Sequence, residues 1–221
     1  MSRSSAGDTG NTGNTHADNI GNLVRRVLAL PHGSTRHLVA IAGPPASGKS
    51  TLARRVASAL TQAGRTAQVV PMDGFHLDNE LLEQRGLLDR KGAPQTFDAK
   101  GFLALVMRLS DPTEQTFPLF DRAQDRAVAD AGQITAGCDV AIVEGNYLLL
   151  DQDPWRHLAD LWAVSVWLDV PEETLERRLV ERWLKHGRSP AKALAKARAN
   201  DLMNARTAVA DRLVAHVTLR S

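Results

Sequence analysis

The chain has 221 residues, 43% of them hydrophobic and 24% charged, with a formal charge of +2. That is the make-up of one ordinary globular domain with a full core, short for two, and no run approaches the roughly eighteen apolar residues of a membrane span. The single cysteine, Cys138, excludes an internal disulfide and a cysteine-rich zinc site, and fits a cytoplasmic, reducing setting.

Residues 1–17 are rich in Gly, Ser, Thr and Asn and lack the apolar stretch of a secretory signal. They read as a disordered tail before a single domain over 18–221. Apolar spacing from Asn19 to Leu30 predicts a leading helix, ended by Pro31-His32-Gly33. His37–Ala42 reads as a buried strand and Ser50–Leu60 as a helix. Between them Gly43-Pro44-Pro45-Ala46-Ser47-Gly48-Lys49-Ser50 fits G-x-x-x-x-G-K-[ST], the phosphate-binding loop, with Thr51 following. Strand, glycine loop and helix start in that order are what the chemistry needs. Loop amides and a helix N-terminus face the phosphates, Lys49 reaches the outer ones, and Ser50 can ligate magnesium.

Gln68–Met72 reads as a second strand with Asp73 at its carboxyl end. Residues 77–86 and 98–109 look helical, separated by a polar loop from Leu87 to Phe97. The stretch 115–137 has the short runs of a β-excursion, with Thr116–Phe120 as one strand. Val140–Val143 and Val164–Leu168 are continuous apolar runs, as expected of strands covered on both faces. A long helical region over 171–209 breaks near Gly187-Arg188-Ser189-Pro190, and Val214–Leu219 reads as a last strand. Strands alternating with helices imply an α/β fold with a doubly wound parallel sheet.

Ligands of such a sheet sit outside the carboxyl ends of its strands, and this rule sorts the acids. Asp73 and Glu144 end strands and face the site, whereas Asp139 stands at a strand entry, on the wrong side. Asp169 ends a strand too, but it also opens a helix with Glu172 and Glu173 in the first turn. An acid near the outer phosphate can bind magnesium or accept a proton from a hydroxyl, and two acids on different strands can fill both roles. Residues 171–200 carry eight Lys/Arg against four acids, a local +4 against −2 elsewhere. With no interleaved aromatics and no nucleic-acid motif, that charge is better matched to a nucleotide phosphate than to DNA or RNA.

Three blocks carry a resemblance: Gly43-x-x-x-x-Gly48-Lys49-Ser50-Thr51, Met72-Asp73-Gly74-Phe75-His76, and Val143-Glu144-Gly145-Asn146-Tyr147. They resemble the phosphoribulokinase/uridine kinase/type I pantothenate kinase family, over about residues 20–220. Arg90–Asp98 and Pro118–Arg122 resemble the bacterial branch of fructose-transport-system and nucleoside/nucleotide-type kinases. The resemblance implies a P-loop three-layer sandwich with a lid helix and a small β-excursion. It also implies ATP and Mg2+ as cofactors, a small-molecule acceptor, no membrane or nucleic-acid partner, and homodimers as a common state. By it, Asp73 is the base for the acceptor hydroxyl and Glu144 joins Ser50 in the magnesium shell. Arg178 and Arg182, four apart and so on one helix face, are the lid arginines that close over the phosphates; Arg177 points elsewhere.

Acceptor-pocket candidates are Phe75, His76, Lys91, Phe97, Phe120, Arg122 and Tyr147, with Asn200, Asp201 and Asn204 chosen by spacing alone. His76 can equally be a packed histidine. Type I pantothenate kinases show Tyr-Ser-His where this chain has Phe120-Asp121-Arg122, a departure that weighs against pantothenate. Arg122 would suit an anionic acceptor, or would pair with Asp121 or Asp125. The function expected is transfer of the γ-phosphate of ATP to a hydroxyl of a sugar, nucleoside or pantothenate-like alcohol. Its competitors are a regulatory NTPase that hydrolyses ATP as a switch and a binding protein with a dead acceptor pocket.

Overall fold

The computed structural model describes residues 12–220. Residues 1–11 of the expected tail lie outside the described residues, and α1 (Thr12–Leu28) begins ahead of Asn19. Then follow β1 (His37–Ala42), α2 (Lys49–Gln62), β2 (Ala67–Pro71), α3 (Asn79–Gln84), α4 (Ala99–Leu109), β3 (Gln115–Asp121), β4 (Arg126–Ile134), β5 (Val140–Gly145) and β6 (Val164–Asp169). The chain closes with α5 (Glu172–Lys185), α6 (Pro190–Lys196), a π-helical turn over Ala197–Asp201, α7 (Leu202–Ala210) and β7 (Val217–Arg220).

Five strands form one sheet in the order β2-β5-β1-β6-β7, and each neighbouring pair is parallel. The apolar runs follow from burial on both faces. Successive side chains of a strand point to opposite sides. Thus Val39, Ile41, Val140, Ile142, Val164 and Val166 pack with Leu23 and Val27 of α1 and Leu52, Val56 and Leu60 of α2. Leu38, Ala40, Ala141 and Val143 face the other way, onto Phe102, Leu105, Val106 and Leu109 of α4 and onto Trp155, Leu158 and Trp162. Helices on both faces of a parallel sheet give the α/β sandwich expected.

Several boundaries differ from the sequence reading. Met72 leaves the second strand for a 3-10 turn, Met72–Phe75, because β2 ends at Pro71, which has no amide to continue a ladder. The polar loop after α3 holds two 3-10 turns, Leu88–Arg90 and Pro94–Thr96. A 3-10 helix, Trp155–Leu161, which buries Trp155 and Leu158, had no counterpart in the spacing. The last strand starts at Val217 rather than Val214, whose side chain is 96% exposed. The excursion is a two-stranded antiparallel hairpin, β3–β4. Among the described residues, no helix is long and apolar enough to cross a membrane.

Candidate active site

The loop after β1 is shaped by backbone that side chains resist. Gly48 has φ 98°, Ala46 has φ 63°, and α2 begins at Lys49 straight after Gly48. Positive φ costs a non-glycine residue energy, and here it turns successive amides into one concavity at a helix N-terminus. That is an anion cradle. Gly43, Pro44, Pro45, Ala46, Ser47 and Gly48 form this turn, and Lys49, Ser50 and Thr51 open α2 behind it, as the motif requires. Lys49 is 7% exposed, and its Nζ donates to the Pro44 carbonyl at 2.9 Å. Burial pushes its pKa below the lysine range, while Glu144 and Asp73 pull it back up. The buried Ser47 hydroxyl finds no protein partner, which fits a loop with an acceptor still to meet.

Across the loop Ser50 Oγ donates to Glu144 Oε1 at 2.7 Å. Parallel pairing of β1 with β5 brings Glu144 beside Ile41, so the strand-end rule placed this acid correctly. Glu144 is 8% exposed. Burial raises its pKa, against the opposing pull of Lys49. A hydroxyl and a carboxylate side by side beneath an anion cradle are hard oxygen donors of the kind that would suit a Mg2+ whose remaining ligands are water and phosphate. The residues fit both ATP and magnesium.

Asp73 sits in the turn after β2, half-buried. Its Oδ2 accepts from Arg122 Nη2 at 2.7 Å. This corrects the expectation that Arg122, where it pairs within the protein, pairs with Asp121 or Asp125. Asp121 Oδ1 instead accepts the amides of Ala123 and Gln124, and Asp125 binds Asn79 and Lys91. The reason is the hairpin. A Cβ on Gly74 would lie 1.9 Å from the Pro118 carbonyl oxygen, so β3 is pressed onto the turn that carries Asp73, and Arg122 is set down on that acid.

The lid arginines lie on α5 as expected. Arg178 Nη1 donates to the loop carbonyls of Ala46 and Ser47, both at 3.4 Å. Arg182 is half-buried, and the charges acting on it are Arg122, Asp201 and Asp73. Arg177 pairs outward with Glu181 at 3.1 Å. Asp169 closes β6 and lies 3.7 Å from Arg220, its register partner on β7.

The remaining candidates divide into wall and floor. His76 Nδ1 is 2.8 Å from the Asp73 carbonyl, and its ring lies between Phe97 at 4.0 Å and Phe120 at 4.7 Å. It is a packed histidine whose pKa burial lowers, so its neutral form is favoured. Phe75 packs edge-on to Phe102 at 5.1 Å. Tyr147 is fully buried, and its hydroxyl donates to the Gly92 carbonyl at 2.6 Å. Burial raises its pKa. Lys91 Nζ is held by Asn79 Oδ1 at 2.6 Å and Asp125 Oδ2 at 3.1 Å. Tyr147 and Lys91 therefore spend their polar atoms on building the site's walls.

Sequence reasoning missed Trp183, whose Nε1 donates to Asp201 Oδ2 at 2.5 Å and whose ring lies under Arg182 and Arg188 at 5.6 and 4.9 Å. Its one legible signal was an aromatic next to a lid arginine. Asn200 Nδ2 donates to the Lys91 carbonyl at 2.8 Å, and its buried Oδ1 lacks a protein partner.

Known proteins are similar to this chain in sequence and fold. A family model described as an AAA domain matches residues 39–193. The solved structure of a “putative fructose transport system kinase” from a Silicibacter species superposes with TM-score 0.88 and 52% identity, covering 90% of this chain and 98% of that one. A Schizosaccharomyces pombe protein named “Putative uridine kinase” is 32% identical over 82% of each chain. Escherichia coli YggC, named as an uncharacterized protein, is 36% identical over 69% of this chain and 64% of its own. The chain thus spans about two thirds of YggC, and only 50% of the length of a pantothenate kinase it also matches. On these matches and on its three motif blocks, the chain carries the P-loop AAA domain and belongs to the phosphoribulokinase/uridine kinase/type I pantothenate kinase family.

Proposed function

We propose that this chain, with residues 18–221 as one domain, is a small-molecule kinase moving the γ-phosphate of ATP to an alcohol group in the cytoplasm. The observation that carries the reading is the Ser50–Glu144 contact of 2.7 Å beneath the loop, with Asp73 facing Lys49 from the neighbouring strand end. Sugars such as fructose, nucleosides and pantothenate-like alcohols are the acceptors to compare.

Ser50 and Glu144 would hold Mg2+, which when bound offsets charge on the outer phosphates. Lys49 releases the Pro44 carbonyl and turns to phosphate oxygen, so its charge gains a partner. Asp73 Oδ1, unbonded among the described residues, accepts the proton of the acceptor hydroxyl and orients its oxygen. Arg178 and Arg182 close over the transferring group and exclude water. Phosphoryl transfer asks little covalent chemistry of a protein, so positioning and fixed charge supply most of the rate.

ADP release with and without hydroxylated metabolites tests the reading. Acceptor-stimulated release is the expected result, and Lys49→Ala should abolish it in a protein that still folds. Asp73→Asn should lower turnover by about a hundredfold or more while ATP affinity is kept. Acceptor-independent release of equal rate would identify a regulatory NTPase instead, whereas acceptor-dependent rates of Asp73→Asn within about threefold of wild type would make Asp73 a turn residue only.

A further inference from the structure

The acceptor side of the site is organised around one ion pair. Arg122 meets Asp73 at 2.7 Å through a single Nη2 contact. Its side chain is 52% exposed, and an exposed pair of this kind adds little to stability. Folding therefore does not explain why an arginine is held against the candidate base.

Three neighbouring cations are spent. Lys91 is bound by Asn79 and Asp125, Arg90 reaches Ala199 and Asn204, and Arg126 Nε donates to Gln124. Arg122 makes one polar contact among the described residues. A guanidinium carries five N–H donors in a rigid fork, so Nε, Nη1 and one Nη2 hydrogen remain. Asp73 Oδ1 is open beside them. Packing of Gly74 on Pro118 fixes these two groups relative to each other, so the pair is a preset template: one hydroxyl acceptor and one anion donor. On the nucleotide side, Lys49, Arg178 and Arg182 already supply the positive charge that phosphates need.

Resting on the kinase reading above, we infer that Arg122 recognises an anionic group of the acceptor. That group is a carboxylate or phosphate within about 6 Å of the hydroxyl that Asp73 orients, two hydrogen bonds around one ion pair. The acceptor is thus a compact hydroxy acid or a phosphorylated polyol rather than a neutral sugar or nucleoside. On binding, the anion takes the free edge of the fork while Asp73 keeps its contact with Nη2.

The test measures kcat/KM for matched pairs: D-glycerate with glycerol, and ribulose 5-phosphate with ribulose. The first pair reports a carboxylate and the second a phosphate. Wild type should favour the charged member of one pair by about 10- to 100-fold, as for a charge-assisted hydrogen bond lost. Arg122→Gln should erase that ratio, and Arg122→Lys should restore part of it. If Arg122 only held Asp73 in place, the variants would slow both members alike and leave the ratio intact, which overturns the inference. So does a neutral member used as well as its acid, or failure of every acid to bind the Mg–AMP-PNP complex in an Arg122-dependent way. Acceptor-independent ADP release would sink the kinase reading instead.

Discussion

Lys49 and Glu144 are buried ions at the bottom of a phosphate cradle, and burial acts against the charge of each. The Lys49 pKa is lowered and the Glu144 pKa raised, in both cases by desolvation first, with the partner's charge opposing. For Glu144 the folded state holds its proton more tightly than the unfolded chain does. Its contribution to stability is therefore fully present below the ordinary glutamate value of 4.5 and is lost as pH rises toward the folded value. We expect chemical denaturation of the ligand-free protein to show this as a difference: wild type should lose stability relative to Glu144→Gln as pH climbs above 4.5. A difference that stays flat across that window would mean that Glu144 is charged at no cost. These two ions, Ser50 and Asp73 were legible in the sequence because a loop motif and a strand-end rule locate them without tertiary contacts. Tyr147 and Lys91 shared motifs with them, yet a motif does not say where a side chain's polar atom points. The Arg122–Asp73 pair was illegible for the opposite reason, since it exists only once a hairpin lies on Gly74.

Helix α5 shows how one element serves packing and chemistry together. Leu175 and Leu179 bury its inner face, which sets Arg178 and Arg182 toward the loop and leaves Arg177 with Glu181 in solvent. Glu172 and Glu173 begin it and Arg182 and Lys185 end it, in accord with the helix dipole. Gly187, at φ 78°, stops it. Charge that meets phosphate only when the lid closes should be felt in turnover rather than in ground-state binding. Arg182→Ala is therefore expected to lower kcat by at least about 100-fold, in line with the arginines of other phosphoryl-transfer sites, with ATP affinity nearly unchanged. Arg177→Ala, removing an exposed pair, should stay within about twofold. Stopped-flow nucleotide binding together with steady-state rates would check both, and an Arg182 variant losing only affinity would make α5 a static wall. The boundaries of α5 were readable from its Pro171 start and Gly187 stop. The π-helical turn over Ala197–Asp201 was not, because its Ala and Arg residues favour helix of any register and no spacing reveals one inserted residue.

At the scale of the molecule, a short turn joins the lid, on the nucleotide side, to the hairpin, on the acceptor side. Asn200 Nδ2 donates to the Lys91 carbonyl and Arg90 Nη1 to the Ala199 carbonyl, so the π-helical turn is tied to Arg90–Gly92. From there Lys91 Nζ reaches the Asp125 carbonyl at 2.8 Å, inside the β3–β4 turn. Below, Tyr147 holds Gly92 to the core. Packed elements that share a hydrogen-bonded joint shift together rather than independently. Nucleotide that draws α5 and the π-helical turn over the loop should then also steady the hairpin that carries Arg122, although no nucleotide touches it. We expect Mg–AMP-PNP to slow amide exchange at residues 121–126 as well as in α5. Lys91→Met, which removes the joint and keeps the stem's bulk, should abolish the hairpin's protection and spare that of α5. Equal protection of the hairpin in wild type and variant would place the coupling in the shared core beneath, and an unprotected wild-type hairpin would mean that nucleotide and acceptor sides close separately.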